Sequence, residues 1–464
     1  MTEHQIAIES KQKERLLLVL MATLILSVMN AAMFNVALPQ MREEFELTAS
    51  QVSWVMTGFT SLYAIGTVVF GKLSDRFRLR NLLTIGLLFF AGGSLIGLFS
   101  TNFSTVIAGR ILQAAGASVI PAAALIIPVR YYEPKNRGHA LGMVSMGLAI
   151  GTAVSPIVGG FIVQTFHWRV LFGLTLIVLV ALPFFRKYLP DHPPSSGTID
   201  ALGAGLLAAL VAFLLLAITW SNGWLTLAGI LMLLLLIWRL TKAKTPFIQP
   251  ALFGNRRYVT ALVIGFLNAA VVMGVSFVIP QLLTELNGLS PGMVGFVVFP
   301  GAFISAVFGK SAGKLADRHG NPLLVSLAMT LMFLCFFLLS LMAGADPWVV
   351  ALILIAGSVG QVSMQFGLSN TVSRTLTQEQ VGIGMGLFSM IMFLSGAMST
   401  VIIGKIIDYG DSSLTLNPLH LYASGTVYSN ICAGMAVVVL IVSLLYFWHF
   451  GRTGNKNWQR GEQL

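Results

Sequence analysis

The sequence predicts an all-α membrane protein with fourteen transmembrane helices: two six-helix bundles, two inserted helices between them, and both termini cytoplasmic. Three observations predict it. First, 56% of the 464 residues are hydrophobic and only 10% charged, with mean hydropathy +0.84, whereas a soluble domain carries about 25% charged residues. Second, apolar stretches of membrane-crossing length recur along the whole chain. Third, a short charged motif near residue 75 returns near residue 317. The composition excludes a soluble enzyme, a disordered chain and a secreted disulfide scaffold. Cys335 and Cys432 lie in apolar runs and read as small packing residues.

A helix needs about 20 mostly apolar residues to cross the hydrocarbon core. In chain order the stretches that qualify are 16–38, 52–70, 82–100, 104–128, 139–163, 169–185 and 201–219, then 224–239, 260–283, 292–312, 323–343, 348–372, 382–404 and 430–450. The first is too long for a removable leader and lacks a small-residue cleavage site, so it reads as an anchor behind a polar head. The eighth is short and leans on Trp224 and Trp238 as interface residues. The organisation follows: a head at 1–15, a six-helix bundle at 16–187, an inserted pair with its linker at 188–258, a second bundle at 259–450 and a tail at 451–464.

The net charge of +11 resolves into topology. With the N-terminus inside, 24 of the 28 Lys and Arg fall in inner segments. Arg42, Arg169 and Lys405 fall outside, and Arg110 lies within a span. Positive charge marks the cytoplasmic side, so an even number of spans fits and a nucleic-acid partner does not.

Gly71-Lys72-Leu73-Ser74-Asp75-Arg76 follows the second span, and Gly313-Lys314-Leu315-Ala316-Asp317-Arg318 follows the tenth. Both occupy the same inner loop if spans 1–6 and 9–14 are two copies of one unit. Parallel six-helix repeats about an axis normal to the membrane are a transporter plan, with the substrate path between them.

With these residues in view the chain resembles the major facilitator superfamily, and within it the fourteen-span drug:proton antiporters that include Gram-positive tetracycline and multidrug exporters. The likeness covers nearly the whole chain. It is carried by Asn35-Val-Ala-Leu-Pro39, Trp54, Thr57, the 71–76 motif, Arg110-Ile-Leu-Gln113-Ala-Ala-Gly116, and Gly147-x3-Gly151-x3-Ser155-Pro156-x2-Gly159-Gly160. The resemblance implies a multi-pass protein of a bacterial cell membrane that exports small amphipathic compounds in exchange for protons. Its partners would be that small-molecule substrate, protons and the lipid bilayer; no cofactor or metal is implied. An uncoupled facilitator or lipid flippase of the same fold is the alternative. A receptor or a membrane enzyme is a more distant reading, since no nucleophile–base pair and no phosphate-binding loop stands out.

The resemblance assigns the 71–76 corner to a latch between transport states. Asp75 is embedded among basic residues, Arg76 adjoins it, and Arg137 in the next inner loop is a candidate partner; Gly71 would let the corner approach a neighbouring helix closely. Asp317 and Arg318 repeat the arrangement. A simple topology anchor is the other reading. Arg110 sits about 9 Å below the outer end of its span, and an intramembrane arginine is either paired and functional or snorkelled. The resemblance links it, with Gln113, to proton coupling.

Residues 147, 151, 155 and 159 share one helix face, expected to pack against a helix of the other half, with Pro156 bending the span. Ser155 stands where the family most often has Gly. The cargo path would be lined by spans 1, 4, 9 and 12, offering Asn30, Asn35, Gln113, Asn268, Ser358, Gln361, Gln365 and Ser369. These either touch cargo or join helices. Pro280 and Pro300 are further candidate bends.

One departure stands out. No Asp or Glu falls inside the predicted spans, whereas tetracycline-exporting relatives carry acids in spans 1, 5 and 13. The matching places are Ala31 beside Asn30, Thr152, and Gly396 beside Ser395. Proton coupling would then fall to Asp75, Asp317 or a histidine, of which His139 is best placed, with Arg110 as electrostatic partner. Such a cavity suits neutral, amphipathic or anionic cargo.

Overall fold

The computed structural model describes residues 10–132, 134–189, 200–243, 246–319, 321–377, 380–410, 415–422 and 425–451. The side chains of residues 10, 11, 75, 129, 134–138, 310–319, 382 and 451 lie outside that description. Every regular element among the described residues is helical.

Fourteen helices are long and apolar enough to cross a membrane. The first six are span 1 (Gln12–Glu44), span 2 (Ala49–Ser74), span 3 (Leu79–Leu98), span 4 (Phe103–Pro128), span 5 (His139–Thr165) and span 6 (Val170–Tyr188). The inserted pair is span 7 (Ala201–Trp220) and span 8 (Gly223–Lys242). The last six are span 9 (Arg256–Asn287), span 10 (Pro291–Gly309), span 11 (Asn321–Leu341), span 12 (Pro347–Arg374), span 13 (Ile383–Asp408) and span 14 (Thr426–Phe450).

The helices begin and end on local chemistry. Asn102, Asp200, Asn222, Asn255 and Asp346 each accept a first-turn N–H through the side chain, satisfying donors that a helix start leaves open. Span 9 closes on Gly288 at φ 62°, a left-handed position that costs glycine little. Span 8 buries only Gly229 and Leu236 and exposes Trp224 and Trp238, a surface whose solvent is lipid.

Several helices outrun the apolar stretches, because only their hydrocarbon part must be apolar. Span 1 therefore takes in Glu14, Glu43 and Glu44, span 9 takes in Glu285, and span 13 ends on Asp408. The expectation that no acid falls inside a span is corrected to this extent: the acids stand at helix ends, and the middles carry none. Arg137, expected in a loop, belongs to the first turn of the helix Pro134–Thr165.

The chain divides into two compact units. One comprises Met1–Leu47 and Trp54–Phe247; the other comprises Thr48–Ser53 and Ile248–Leu464. Spans 7 and 8 thus cluster with spans 1–6. Trp54 Nε1 donates to Thr219 Oγ1 of span 7 at 2.9 Å. Lys72 Nζ donates to the Phe247 carbonyl at 2.9 Å and lies over the Phe247 ring. In the second unit, the Asp408 carboxylate accepts the N–H groups of Ala49 and Ser50 at 2.6 and 3.1 Å.

Candidate functional site: the buried arginine network

Span 4 meets span 3 through backbone rather than side chains. A Cβ on Gly116 would lie 2.2 Å from Phe90 N, and one on Gly93 would lie 2.4 Å from Gln113 N. Glycines at both places bring the polar side chains of the two helices together.

Arg110 is 0% exposed, so it does not snorkel. Its Nε donates to the Val55 carbonyl at 3.0 Å, and its Nη1 donates to Asn30 Oδ1 at 3.3 Å and Gln113 Oε1 at 3.1 Å. The guanidinium carbon stands 4.2 and 4.1 Å from the ring centroids of Phe34 and Phe59. Cation–π attraction is strongest in such desolvated surroundings. Gln113 Nε2 continues the network to Ser94 Oγ at 2.8 Å and Thr175 Oγ1 at 3.1 Å. One set of hydrogen bonds therefore joins spans 1, 2, 3, 4 and 6. Among the described residues no carboxylate pairs with Arg110.

The sequence pointed to Arg110, Gln113 and Asn30 but not to Ser94, Thr175, Phe34 or Phe59. Gly92-Gly93-Ser94-x2-Gly97 was a legible signal for Ser94, since small residues at this spacing mark close helix contacts. The phenylalanines look like ordinary core until the arginine is seen against their rings.

The stripe in span 5 is corrected in its partner. Cβ atoms on Gly147, Gly151 and Gly159 would meet Met21, Ile25 with Val28, and Met33. All belong to span 1 of the same unit, not to a helix of the other half. Ser155 is buried and its hydroxyl bonds to the Thr152 carbonyl, which gives the departure from Gly a local outlet. Pro156 lies inside this helix, as do Pro280 and Pro300 in theirs.

At the inner corner, the close approach expected at Gly71 is not made: no described atom lies within 4 Å of where its Cβ would stand. The corner is held instead by Arg130, whose Nη1 donates to the Ser74 carbonyl at 3.1 Å, and by Lys72 on the linker. Arg76 is exposed. The side chains of Asp75, Arg137, Asp317 and Arg318 lie outside the described residues. The linker is fixed by Asp200, which accepts from Gly203 N–H, Arg239 Nε and Phe247 N–H. Burial raises its pKa, but those bonds and the Arg239 charge outweigh burial and hold it below the usual carboxylate range.

In the second unit, Ser358 and Gln361 line a cavity of about 30 Å³ with Val272, Val275 and Cys335, room for about one water. Asn268 is buried, Gln365 exposed and Asn35 intermediate. Asn35 belongs to the first unit, where Asn30 and Gln113 are the cargo-path candidates bonded to Arg110 among the described residues. His139 is exposed, and Cys335 and Cys432 are buried free thiols.

Fourteen spans in two units, with a polar network sealed inside the first, define a polytopic membrane transporter. The Major Facilitator Superfamily model matches residues 20–400, and the chain belongs to that family. It is 26% identical over 447 residues to the riboflavin transporter RibZ of Clostridioides difficile, covering 94% of this chain and 98% of the relative. It is 27% identical over 339 residues to a methylenomycin A resistance protein of Bacillus subtilis, covering 70% and 73%. A crystal structure of the peptide transporter POT in complex with sulfate superposes with TM-score 0.68 at 17% identity, over 94% of this chain and 95% of that one. The relatives and structural neighbours are membrane transporters, not enzymes, and the chain is a multi-pass protein of the plasma membrane.

Proposed function

We propose that this transporter exports small amphipathic compounds by alternating access, in exchange for protons. The observation that carries the reading is the Arg110 network, because one buried cation ties five helices and any change in its charge balance is felt by all of them. Two relatives, a riboflavin transporter and a methylenomycin A resistance protein, support a small-molecule cargo. In this reading Gly71, Asp75, Arg76 and Arg137, with Asp317 and Arg318, form the inner latch. Asn35, Asn268, Gln361 and Gln365 join Asn30 in the cargo path.

The test uses everted membrane vesicles with an imposed proton gradient and a panel that includes riboflavin and aromatic antibiotics. Cargo-dependent collapse of the gradient is expected. Accumulation that ignores the gradient would replace this reading with uncoupled facilitation, which the acid-free span middles favour. Asp75→Asn is expected to stop transport while leaving the protein in the membrane, and full activity would remove the latch.

A further inference from the structure

A guanidinium carries five N–H protons. Nε of Arg110 uses one on Val55, and Nη1 uses two on Asn30 and Gln113. Both protons of Nη2 are buried without an acceptor. The neighbouring Asn30 repeats the situation: its Oδ1 takes the bond from Arg110, and its buried Nδ2 has no partner. Turning the amide over would set Nδ2 against the Nη1 donor, so the bond fixes which end is left open. Gln113 brings no relief, because its Nε2 is already a donor to Ser94 and Thr175. The Phe34 and Phe59 rings pack against the guanidinium and offer its Nη2 protons no oxygen acceptor.

Two hydrogen-bonded side chains, each 0% exposed, thus present four unmet N–H protons and one uncompensated positive charge. Buried polar groups are nearly always partnered, and a group that is not asks for an ion or ligand. A water could accept the hydrogen bonds but would leave the charge unbalanced. We propose that Arg110 Nη2 and Asn30 Nδ2 form a binding site for a monovalent anion, either a small inorganic anion or the carboxylate end of a cargo molecule. Both atoms are sealed from solvent, so the anion reaches them when the surrounding helices part; to that extent the inference rests on alternating access.

The experiment measures the thermal midpoint of the purified full chain in detergent, at constant ionic strength, in sodium chloride, sodium benzoate or, as reference, sodium gluconate, a carboxylate whose hydrated polyol chain is costly to bury beside Phe34 and Phe59. Wild type is expected to gain a few degrees, saturably, in at least one of the first two, since a ligand that binds only the folded state stabilises it. A response to chloride marks an inorganic anion, and a response to benzoate alone marks a carboxylate-bearing cargo. Asn30→Asp supplies the missing carboxylate from within the chain. It is expected to match or exceed wild type in gluconate and to lose the response. Arg110→Gln removes the charge and is expected to lose the response too. A wild type indifferent to both anions, or an Asn30→Asp protein that responds as wild type does, would overturn the site. Because this readout involves no transport, its failure leaves the proton-exchange reading standing, and a failed flux assay leaves the site standing.

Discussion

The two units repeat a backbone plan and differ in what joins their helices. In the first, span 5 lies against span 1 through Gly151 and Gly159, where an added Cβ would come 2.9 Å from the Ile25 carbonyl and 2.7 Å from the Met33 carbonyl. In the second, span 13 lies against span 9. There Ser395 bonds to the Phe266 carbonyl, and Ser399 donates to the Ala270 carbonyl at 2.6 Å. The glycines of that seam face side chains: Gly396 meets Met273 and Gly274 meets Ile403, Met435 and Ser399. The polar networks differ as well. The first unit buries an arginine, whereas the second uses the neutral Asn321, whose Nδ2 donates to the Gly367 carbonyl at 2.9 Å and Thr371 Oγ1 at 2.7 Å. Repetition of the fold therefore does not carry repetition of the chemistry. Among the described residues, the buried arginine belongs to one unit.

The largest expected effect tests that asymmetry. Arg110→Lys keeps the charge but loses the planar fork that reaches Val55, Asn30 and Gln113 at once. Transport per molecule is expected to fall at least about tenfold, equivalent to about 1.4 kcal/mol. Asn321→Ala removes a comparable number of hydrogen bonds from a neutral network. It is expected to lower stability by about 1–2 kcal/mol while sparing transport per folded molecule. Flux normalised to folded protein separates the two, and equal losses would erase the distinction between the units.

Next in size is the contrast between the seams. Gly159→Ala sets a methyl against a backbone carbonyl that cannot turn aside, an overpacking cost of about 1–3 kcal/mol. Gly396→Ala meets the flexible Met273 side chain and should cost less than about 1 kcal/mol. Thermal midpoints of the two variants in detergent are expected to fall in that order. The reverse order would mean that the second seam is the rigid one. Ser395→Ala and Ser399→Ala should each cost about 0.6 kcal/mol, as interhelical hydrogen bonds in membranes do.

How much of this was legible in the sequence follows from the range of each interaction. The fourteen spans rest on local hydropathy, so they could be read directly, as could the intramembrane position of Arg110. Gln113 shares a helix face with it at three residues' spacing. Ser94, Thr175 and the carbonyl of Val55 lie 16, 65 and 55 residues away along the chain, and no periodicity announces such neighbours. The span 5 stripe shows the same limit: small residues reveal that a helix is approached closely but not which helix. Helix ends are less legible because apolar content stops at the hydrocarbon boundary while the backbone hydrogen bonds continue, so Glu285 and Asp408 lie in helices that run beyond their apolar stretches.

The smallest expected stability effect is at Gly71, and it sharpens the comparison from another side. Gly151 and Gly159 are packed in the state described here, whereas Gly71 faces open space. A glycine kept for packing in this state resists a methyl group; one kept for packing in another state does not. Gly71→Ala should therefore leave the thermal midpoint within about 0.5 kcal/mol of wild type, since its backbone lies in a helix that alanine favours. If the 71–76 corner closes on a neighbour during the cycle, the same variant slows transport several-fold, because the added methyl then meets a surface absent from this state. Flux in vesicles, measured beside the thermal midpoint, reads both effects. Wild-type flux with wild-type stability would take Gly71 out of the latch and leave the corner to Lys72 and Arg130, whose contacts are already made.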